Sequence, residues 1–311
     1  MVENPLFSKK NFIDKPGLNI PSALIWQFTL ACNSRCLHCY ANAGKALPAE
    51  LSNQEALMVA QEVIRAGIPR VIFTGGEPFL RSDFPEVLQL LSENGVSMKI
   101  ETNGSLIDEN LVNFLVNLNL ASIEISLDGS GAESHEGLRP GSSWTKAVKA
   151  IKLLSEAGIK VQVLFIPTRI NCREIEETIG LAYSLAVSEF FVGELLPFGR
   201  ATKNWTLLSL SPQEQEDLVK LISNNSSRFS PKMKIFFFSF KEELKKLLSQ
   251  EPKTLFLSAD GRGKIKGSLP FYIGDIRKES LFSIYEKIKK EWRNPKLRKE
   301  IGKYLKTLKK I

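Results

Sequence analysis

The sequence predicts an α/β fold, a partial (β/α)6 TIM-like barrel with a small α+β C-terminal extension. Six short apolar runs alternate with amphipathic stretches as far as residue 201, and this alternation is typical of parallel βαβ units. Six units form a partial barrel, since a closed one has eight. We therefore expect a lead-in segment at 1–20, a barrel at 21–201 and an extension at 202–311.

The barrel strands are predicted from short runs rich in β-branched and aromatic residues, each followed by a polar or glycine-containing loop. They are expected at 24–30, 70–74, 97–101, 122–127, 160–166 and 189–196. The intervening helices are predicted from apolar residues at helical spacing, often after a Ser or Asp and before a Gly. They are expected at 52–66, 83–94, 108–118, 143–157 and 172–186.

The extension gives weaker signals. Helices are expected at 211–223, 241–249, 280–292 and 297–308, and strands at 235–240, 255–258 and 264–266. The polar run Asn-Asn-Ser-Ser at 224–227 predicts a break after the first of these helices. The turn Asp-Gly-Arg-Gly at 260–263 is expected to join the last two strands as a hairpin.

Composition is that of an ordinary globular protein, with 43% hydrophobic and 24% charged residues. No apolar run approaches the roughly 20 residues that a membrane helix needs, and the polar N-terminus does not read as a signal peptide. Free cysteines without an export signal predict a cytoplasmic protein.

The net charge of +8 is unevenly distributed. Residues 231–311 carry 22 Lys or Arg against 9 Asp or Glu, whereas the rest of the chain carries a small acidic excess. This pattern favours a solvated helical surface or attraction to an acidic partner. No recognition motif accompanies the charge, so nucleic acid is not expected as a partner.

Three of the four cysteines, Cys32, Cys36 and Cys39, lie within eight residues on the loop that leaves the first strand. A disulfide would leave one thiol over, and zinc would need a fourth ligand such as His38. An iron–sulfur cubane is normally held by four thiolates. Three thiolates leave one iron open for chemistry, which makes the cluster our first interpretation and zinc the second.

The spacing Cys32-x3-Cys36-x2-Cys39 after a first strand resembles the signature of the radical S-adenosylmethionine (SAM) superfamily. The wider pattern from Thr29 to Tyr40 is similar to its branch of peptide maturases and haem-modifying enzymes. The resemblance implies an open (β/α)6 barrel with one [4Fe–4S] cluster, whose open iron binds SAM. It also implies reductive cleavage of SAM to a 5′-deoxyadenosyl radical that abstracts hydrogen from a substrate.

Further motifs follow the predicted strands, at the edge where the sites of β/α barrels lie. The turn Gly75-Gly76-Glu77-Pro78 allows close backbone approach, and Glu77 offers a carboxylate to an ammonium group. The resemblance implies that the SAM amino group rests there. It implies further contacts to SAM from Asn103, Ser126, Asp128, Arg139 and Leu195. Among these, the Arg139 guanidinium is expected to contact the SAM carboxylate. Ordinary turn chemistry and a surface ion pair are the alternatives.

Residues 254–285 resemble a degenerate form of the SPASM extension found in many radical SAM peptide maturases. That family places a cysteine near Ser268 to begin an auxiliary cluster, and this chain has none there. The remaining Cys172 follows the fifth strand at a helix start, which predicts a lowered thiol pKa. We consider it as a hydrogen-atom donor to a substrate radical; the alternative is a small, partly buried residue.

The expected substrate is a ribosomally made peptide, with a tetrapyrrole or another anionic small molecule as the second possibility. A reducing partner such as flavodoxin or ferredoxin is expected. The alternative from a different functional class is a non-catalytic iron–sulfur or zinc protein that serves as a binding or scaffold module.

Overall fold

Parallel strands joined by helices form the centre of the computed structural model, which describes residues 20–308. The predicted lead-in at 1–20 lies outside this range, except for its last residue. Within the described range the strands are β1 (Ala23–Thr29), β2 (Arg70–Gly75), β3 (Ser97–Thr102), β4 (Leu120–Ser126), β5 (Val161–Phe165), β6 (Glu189–Gly193), β7 (Lys234–Phe238), β8 (Thr254–Leu257), β9 (Arg262–Lys264) and β10 (Tyr272–Asp275).

All these strands belong to one sheet, in the order β10-β9-β8-β1-β2-β3-β4-β5-β6-β7. The pairs from β8 to β7 are parallel, whereas β9 pairs antiparallel with both β8 and β10. The edge strands β10 and β7 are not paired with each other in this order, so the sheet is open. The predicted α/β fold with a partial barrel is confirmed.

The helices lie between successive strands and after the last one. They are α1 (Asn53–Arg65), α2 (Phe84–Glu93), α3 (Glu109–Leu115), α4 (Ala132–Leu138), α5 (Trp144–Glu156), α6 (Ile175–Ser184), α7 (Arg200–Lys203), α8 (Trp205–Leu208), α9 (Pro212–Phe229), α10 (Phe240–Ser249), α11 (Leu281–Trp292) and α12 (Pro295–Leu308). Across residues 20–308, no helix combines the length and apolar character required to cross a membrane.

Two sequence predictions are wrong in detail. The Asn-Asn-Ser-Ser run does not break its helix, because α9 continues to Phe229. Asn225 is buried there and donates a side-chain hydrogen bond to the carbonyl oxygen of Leu221 one turn earlier, so tertiary packing overrides weak helix propensity. The helix predicted from Cys172 begins instead as a 3₁₀ turn over Cys172–Glu174, and α6 follows.

The sheet continues across the boundary predicted at residue 201. β7 pairs with β6, and β8 pairs with β1, so strands from the C-terminal part extend both sides of the six predicted barrel strands. The division into a barrel at 21–201 and an extension at 202–311 stays a prediction.

The outer face of the sheet packs against the helices through large apolar side chains. Trp26, Phe28, Phe73 and Phe84 are fully buried, with neighbouring ring centroids 4.8–5.6 Å apart. Burying each such side chain contributes roughly 1.5–3 kcal/mol. Because successive strand residues point to opposite faces, the alternate residues line the barrel interior. This packing holds the carboxyl ends of the parallel strands at one edge.

Candidate active site

The loop that leaves β1 at this edge carries Cys32, Cys36 and Cys39, and all three are free thiols. The Cys32 sulfur accepts the Ser34 N–H at 3.4 Å, and the Cys39 sulfur accepts the Ala43 N–H at the same distance. The Cys36 sulfur accepts from Arg139 Nη1 at 3.6 Å. Each sulfur therefore has one N–H donor, an arrangement that stabilises thiolate charge.

Burial raises the pKa of the Cys32 and Cys36 thiols, and the charge of Arg139 acts against the rise at both. A metal offsets such a rise because it binds the thiolate form. Within residues 20–308, no three Cys, His, Asp or Glu side chains converge closely enough for a single metal ion. The chemistry of three thiols on one loop fits an iron–sulfur cluster, which is held by thiolates.

The segment after β6 stabilises the cysteine loop through hydrogen bonds. Arg200, at the start of α7, donates from Nε to the Cys36 carbonyl oxygen at 2.8 Å and from Nη1 to that of Ala43 at 2.6 Å. Gly199 precedes it at φ 58°, and a Cβ there would overlap the carbonyl oxygen of Cys39. The loop is therefore held by contacts that need a glycine and an arginine.

The predicted glycine turn lies directly against the start of the cysteine loop. The Gly76 N–H donates to the Thr29 carbonyl oxygen at 2.7 Å, and the Glu77 N–H donates to that of Ala31 at 2.8 Å. Gly75 has φ 134°, and a Cβ at Gly76 would overlap the Ala31 carbonyl oxygen. Both glycines are thus required for the turn and the loop to meet.

Glu77 is fully buried and bonds within the chain. Its carboxylate accepts from Thr102 Oγ1 at 2.8 Å and from the Asn103 N–H at 2.9 Å, at the end of β3, and also from the Phe79 N–H. Burial raises the pKa of Glu77 to about 7. Pro78 begins a 3₁₀ turn behind it. In this geometry Glu77 connects the glycine turn to the end of β3.

Asn103 connects β3 to the cysteine loop. Its Nδ2 donates to Asn33 Oδ1 at 2.8 Å, and its own Oδ1 accepts the Ser105 N–H at 2.9 Å. The predicted residues Glu77 and Asn103 therefore meet at one place, next to the loop that carries the cysteines.

Asp128, Arg139 and Cys36 form a second group. Asp128 is fully buried; its Oδ1 accepts the Ile166 N–H at 2.7 Å, and its Oδ2 accepts from Arg139 Nε at 2.5 Å. Burial acts to raise the pKa of Asp128, but the charge of Arg139 holds it below its usual range. The Asp128 carboxylate, like that of Glu77, accepts hydrogen bonds from other groups of the chain. The Arg139 guanidinium likewise contacts a carboxylate and a thiol of the chain, and no surface ion pair forms.

Two neutral histidines lie in the same region. Burial lowers the pKa of His38 to about 3, although its Nε2 lies 3.4 Å from Asp128 Oδ2, and burial lowers that of His135 to about 4. His38 Nδ1 and Ser34 Oγ are buried without a hydrogen-bond partner among the described residues. The cysteine loop therefore keeps unused polar atoms that fit a polar cofactor bound against it.

Two further residues that were predicted to contact SAM lie at the same edge, outside the groups of residues around Glu77 and Asp128. Ser126 ends β4 and is half-buried. Leu195 follows β6 and packs in a small apolar cluster with Leu138, Ala201 and Leu208.

The pKa prediction for Cys172 is wrong in direction. Burial raises the pKa of its thiol, and the nearby Glu214 carboxylate adds to the rise. A single 3₁₀ turn lacks the aligned peptide dipoles of a longer helix. Its loop does reach the active edge, because Asn171 Nδ2 donates to the Asp128 carbonyl oxygen at 3.1 Å.

Sequence reasoning missed a row of polar side chains on the inner face of the sheet. In register, Glu101 lies opposite Glu124, Glu124 opposite Gln162, and Gln162 opposite Glu189. The signal was present as charged residues alternating with apolar ones inside the strands, for example Lys99-Ile100-Glu101. Tyr40 belongs to the same region: burial raises its pKa, and Glu101 adds to the rise.

Comparisons with known proteins give one family and several relatives. The family model of the radical SAM superfamily matches residues 26–182. Mycofactocin maturase MftC of Mycolicibacterium smegmatis is 34% identical over 203 residues, covering 65% of this chain and 52% of the relative. The AdoMet-dependent heme synthase of Methanosarcina barkeri is 27% identical over 293 residues, covering 86% and 83%. The chain thus spans about half the length of the maturase.

Among solved structures, Streptococcus suis SuiB bound to S-adenosylmethionine superposes with a TM-score of 0.70 at 15% identity, over 89% of this chain and 66% of that one. At this identity the likeness concerns the fold. It extends beyond the barrel into the C-terminal part of the chain, since it covers nearly nine-tenths of the sequence.

Proposed function

Because this chain belongs to the radical SAM superfamily, we propose that it is a radical SAM enzyme that modifies a ribosomally made peptide. One [4Fe–4S] cluster is held by Cys32, Cys36 and Cys39. The observation that carries the proposal is the single N–H donor at each of these three sulfurs. When bound, the cluster and SAM supply a 5′-deoxyadenosyl radical that abstracts hydrogen from an unreactive C–H bond.

In this proposal the chain's own residues bind SAM and orient it. The Gly75–Gly76 turn places half-buried backbone beside the cysteine loop, and Ser34 Oγ and His38 Nδ1 offer polar atoms without a partner among the described residues. The other predicted SAM contacts stay proposals as well: Glu77, Pro78, Asn103, Ser126, Asp128, Arg139 and Leu195. Hydrogen donation by Cys172 also stays a proposal.

The peptide substrate is supported by the similarity to a maturase. The excess of Lys and Arg in residues 231–311 suits an acidic region of such a peptide. We further propose a flavodoxin or ferredoxin as the electron donor and the cytoplasm as the location, where free cysteines stay reduced.

The test is anaerobic reconstitution with iron and sulfide, followed by SAM and dithionite. We expect about four irons per chain and 5′-deoxyadenosine as the product. Cys36→Ser should lose both, whereas the matched variant Cys172→Ser should keep the irons. Zinc without sulfide, or a reconstituted cluster that does not cleave SAM, would contradict the proposal and favour a non-catalytic scaffold protein.

A second candidate is modification of a haem precursor. The observation that favours it is that the heme synthase aligns over most of both chains. Incubating the reconstituted enzyme with tetrapyrrole precursors, and in parallel with peptides encoded by short reading frames beside its gene, would separate the two. A mass change in a tetrapyrrole alone would replace the peptide proposal.

A further inference from the structure

The inner polar row described above places three carboxylates on neighbouring strands. Lys99 is the buried cation among them: its Nζ lies 2.7 Å from Glu124 Oε2 and 3.7 Å from Glu101 Oε1. Lys160 contacts Glu189 at 2.7 Å from a half-exposed position. Through these contacts three carboxylates share two ammonium groups, while a third lysine, Lys234, stands opposite Glu189 in the register at an exposed position.

Glu101 is the member of the row with the weakest pairing. It shares Lys99 with Glu124, at the longer of the two distances. Its side chain is also 33% exposed, whereas those of Glu124 and Glu189 are 8% exposed. Glu101 is thus the carboxylate that a molecule entering the barrel can reach.

An unused acceptor lies in the same row. Gln162 is 3% exposed, and its Nε2 donates to Glu189 Oε2. Its Oε1 is buried and has no hydrogen-bond partner among the described residues. A buried carbonyl oxygen without a donor is costly, and its two neighbours in the row, Glu124 and Glu189, are also acceptors. The two carboxylates beside Gln162 therefore offer its Oε1 no donor.

Further along the same face of β6 and β7 the side chains are aromatic. The Phe191 ring lies 5.3 Å from those of Phe236 and Phe238, centroid to centroid. Lys99 Nζ lies 5.5 Å from the centre of the Phe191 ring, within the range of cation–π attraction. The interior thus already holds one ammonium group between carboxylates and a phenyl face.

We propose that the barrel interior binds a positively charged side chain of the substrate, a lysine ammonium or an arginine guanidinium, with Glu101 as its ion-pair partner. This inference rests on the proposed function, because it assumes that the substrate is a peptide entering at the cluster edge. Carboxylates and an unpaired carbonyl oxygen recognise donors and repel anions. The same interior would disfavour the carboxylates of an anionic small molecule.

The test uses four blocked pentapeptides, acetyl-Gly-Gly-X-Gly-Gly-amide, in which X is Lys, Arg, norleucine or Glu. Binding to the anaerobic, SAM-loaded holoenzyme is followed by ligand-observed NMR titration. We expect the Lys and Arg peptides to bind at least tenfold more tightly than the norleucine peptide. Glu101→Gln should remove this preference and Glu101→Lys should shift it towards the Glu peptide. The exposed Glu216→Gln on α9 is the matched control and should leave both the preference and SAM cleavage unchanged.

Equal binding of the four peptides, binding of none of them, or a Lys preference that survives Glu101→Gln would overturn the inference. Its failure differs from failure of the proposed function, because binding is read independently of 5′-deoxyadenosine. An enzyme that cleaves SAM but binds the norleucine peptide as tightly as the Lys peptide keeps its function and loses this specificity site.

Discussion

The Nη1 atom of Arg139 lies 3.6 Å from the sulfur of Cys36, and both residues are more than nine-tenths buried. Asp128 holds the same guanidinium from its other side, through Nε. One buried cation is thus shared by the Cys36 thiol and the Asp128 carboxylate. Removing the charge of Arg139 and removing the charge of Asp128 should therefore change the electrostatic potential at the proposed cluster in opposite directions.

Arg139→Gln should lower the midpoint potential of the reconstituted cluster. Hydrogen bonds to charged groups contribute about 1.5–3 kcal/mol, and 1.4 kcal/mol corresponds to about 59 mV for one electron. We expect a decrease on the order of 50 mV, since part of the charge is already neutralised by Asp128. Asp128→Asn should raise the potential, because it leaves the cation uncompensated. A redox titration followed by EPR measures both, and shifts of the same sign would contradict the argument.

Glu77 should make the stability of the metal-free protein fall as pH rises. Burial raises its folded-state pKa to about 7, so between about pH 4.5 and 7 the folded chain keeps a proton that the unfolded chain has lost. The free energy of unfolding should decrease across this window by at most on the order of 3 kcal/mol. Urea titrations of wild type and Glu77→Gln isolate the effect; the two should have the same pH dependence if Glu77 is not involved.

Gly76→Ala should disrupt the meeting of the glycine turn and the cysteine loop. Its Cβ would overlap the backbone oxygen of Ala31, and backbone cannot move aside as a side chain can. We expect a loss of about 2 kcal/mol or more in unfolding free energy and reduced iron content after reconstitution. Gly180→Ala, in helix α6 with open space around the added methyl, is the matched control and should gain about 0.5–1 kcal/mol. Equal iron content in both variants would count against the role of Gly76.

The positions of these groups were predictable from the sequence, but their contacts were not. The cysteine spacing and the Gly75–Pro78 turn are local patterns at strand ends, and parallel strands bring such ends to one edge. That Glu77 faces Thr102, or that Asp128 faces Arg139, depends on how loops from different βα units meet. Sequence spacing carries no signal for that.

The same reasoning explains the elements that were wrongly predicted. Residues 224–227 have weak helix propensity, yet α9 includes them because Ile222 and Asn225 are buried in the packed structure. The strand β7 was predicted, but its place beside β6 follows from sheet pairing that no local pattern specifies.

Cys172 should react slowly with alkylating reagents. Burial and the nearby Glu214 raise its thiol pKa above the ordinary value, so little thiolate is present at neutral pH. The rate of iodoacetamide labelling, followed by mass spectrometry in the holoenzyme, should have its midpoint at a higher pH than that of N-acetylcysteine amide. A lower midpoint would restore the case for an activated thiol. Product formation that survives Cys172→Ala would separately exclude hydrogen donation.

Lys99→Met should be the most destabilising single change in the barrel interior, because it leaves Glu124 buried without its cation partner. Removing one partner of a buried pair typically costs about 3–5 kcal/mol, whereas replacing both by apolar residues is often neutral. We therefore expect Lys99→Met/Glu124→Leu to recover most of the unfolding free energy that Lys99→Met loses. The single variant should also regain stability at low pH, where Glu124 takes up a proton and no longer needs a partner. Urea unfolding of the four proteins in this cycle measures the coupling, and a double variant no more stable than Lys99→Met would show that the lysine acts through packing instead of charge.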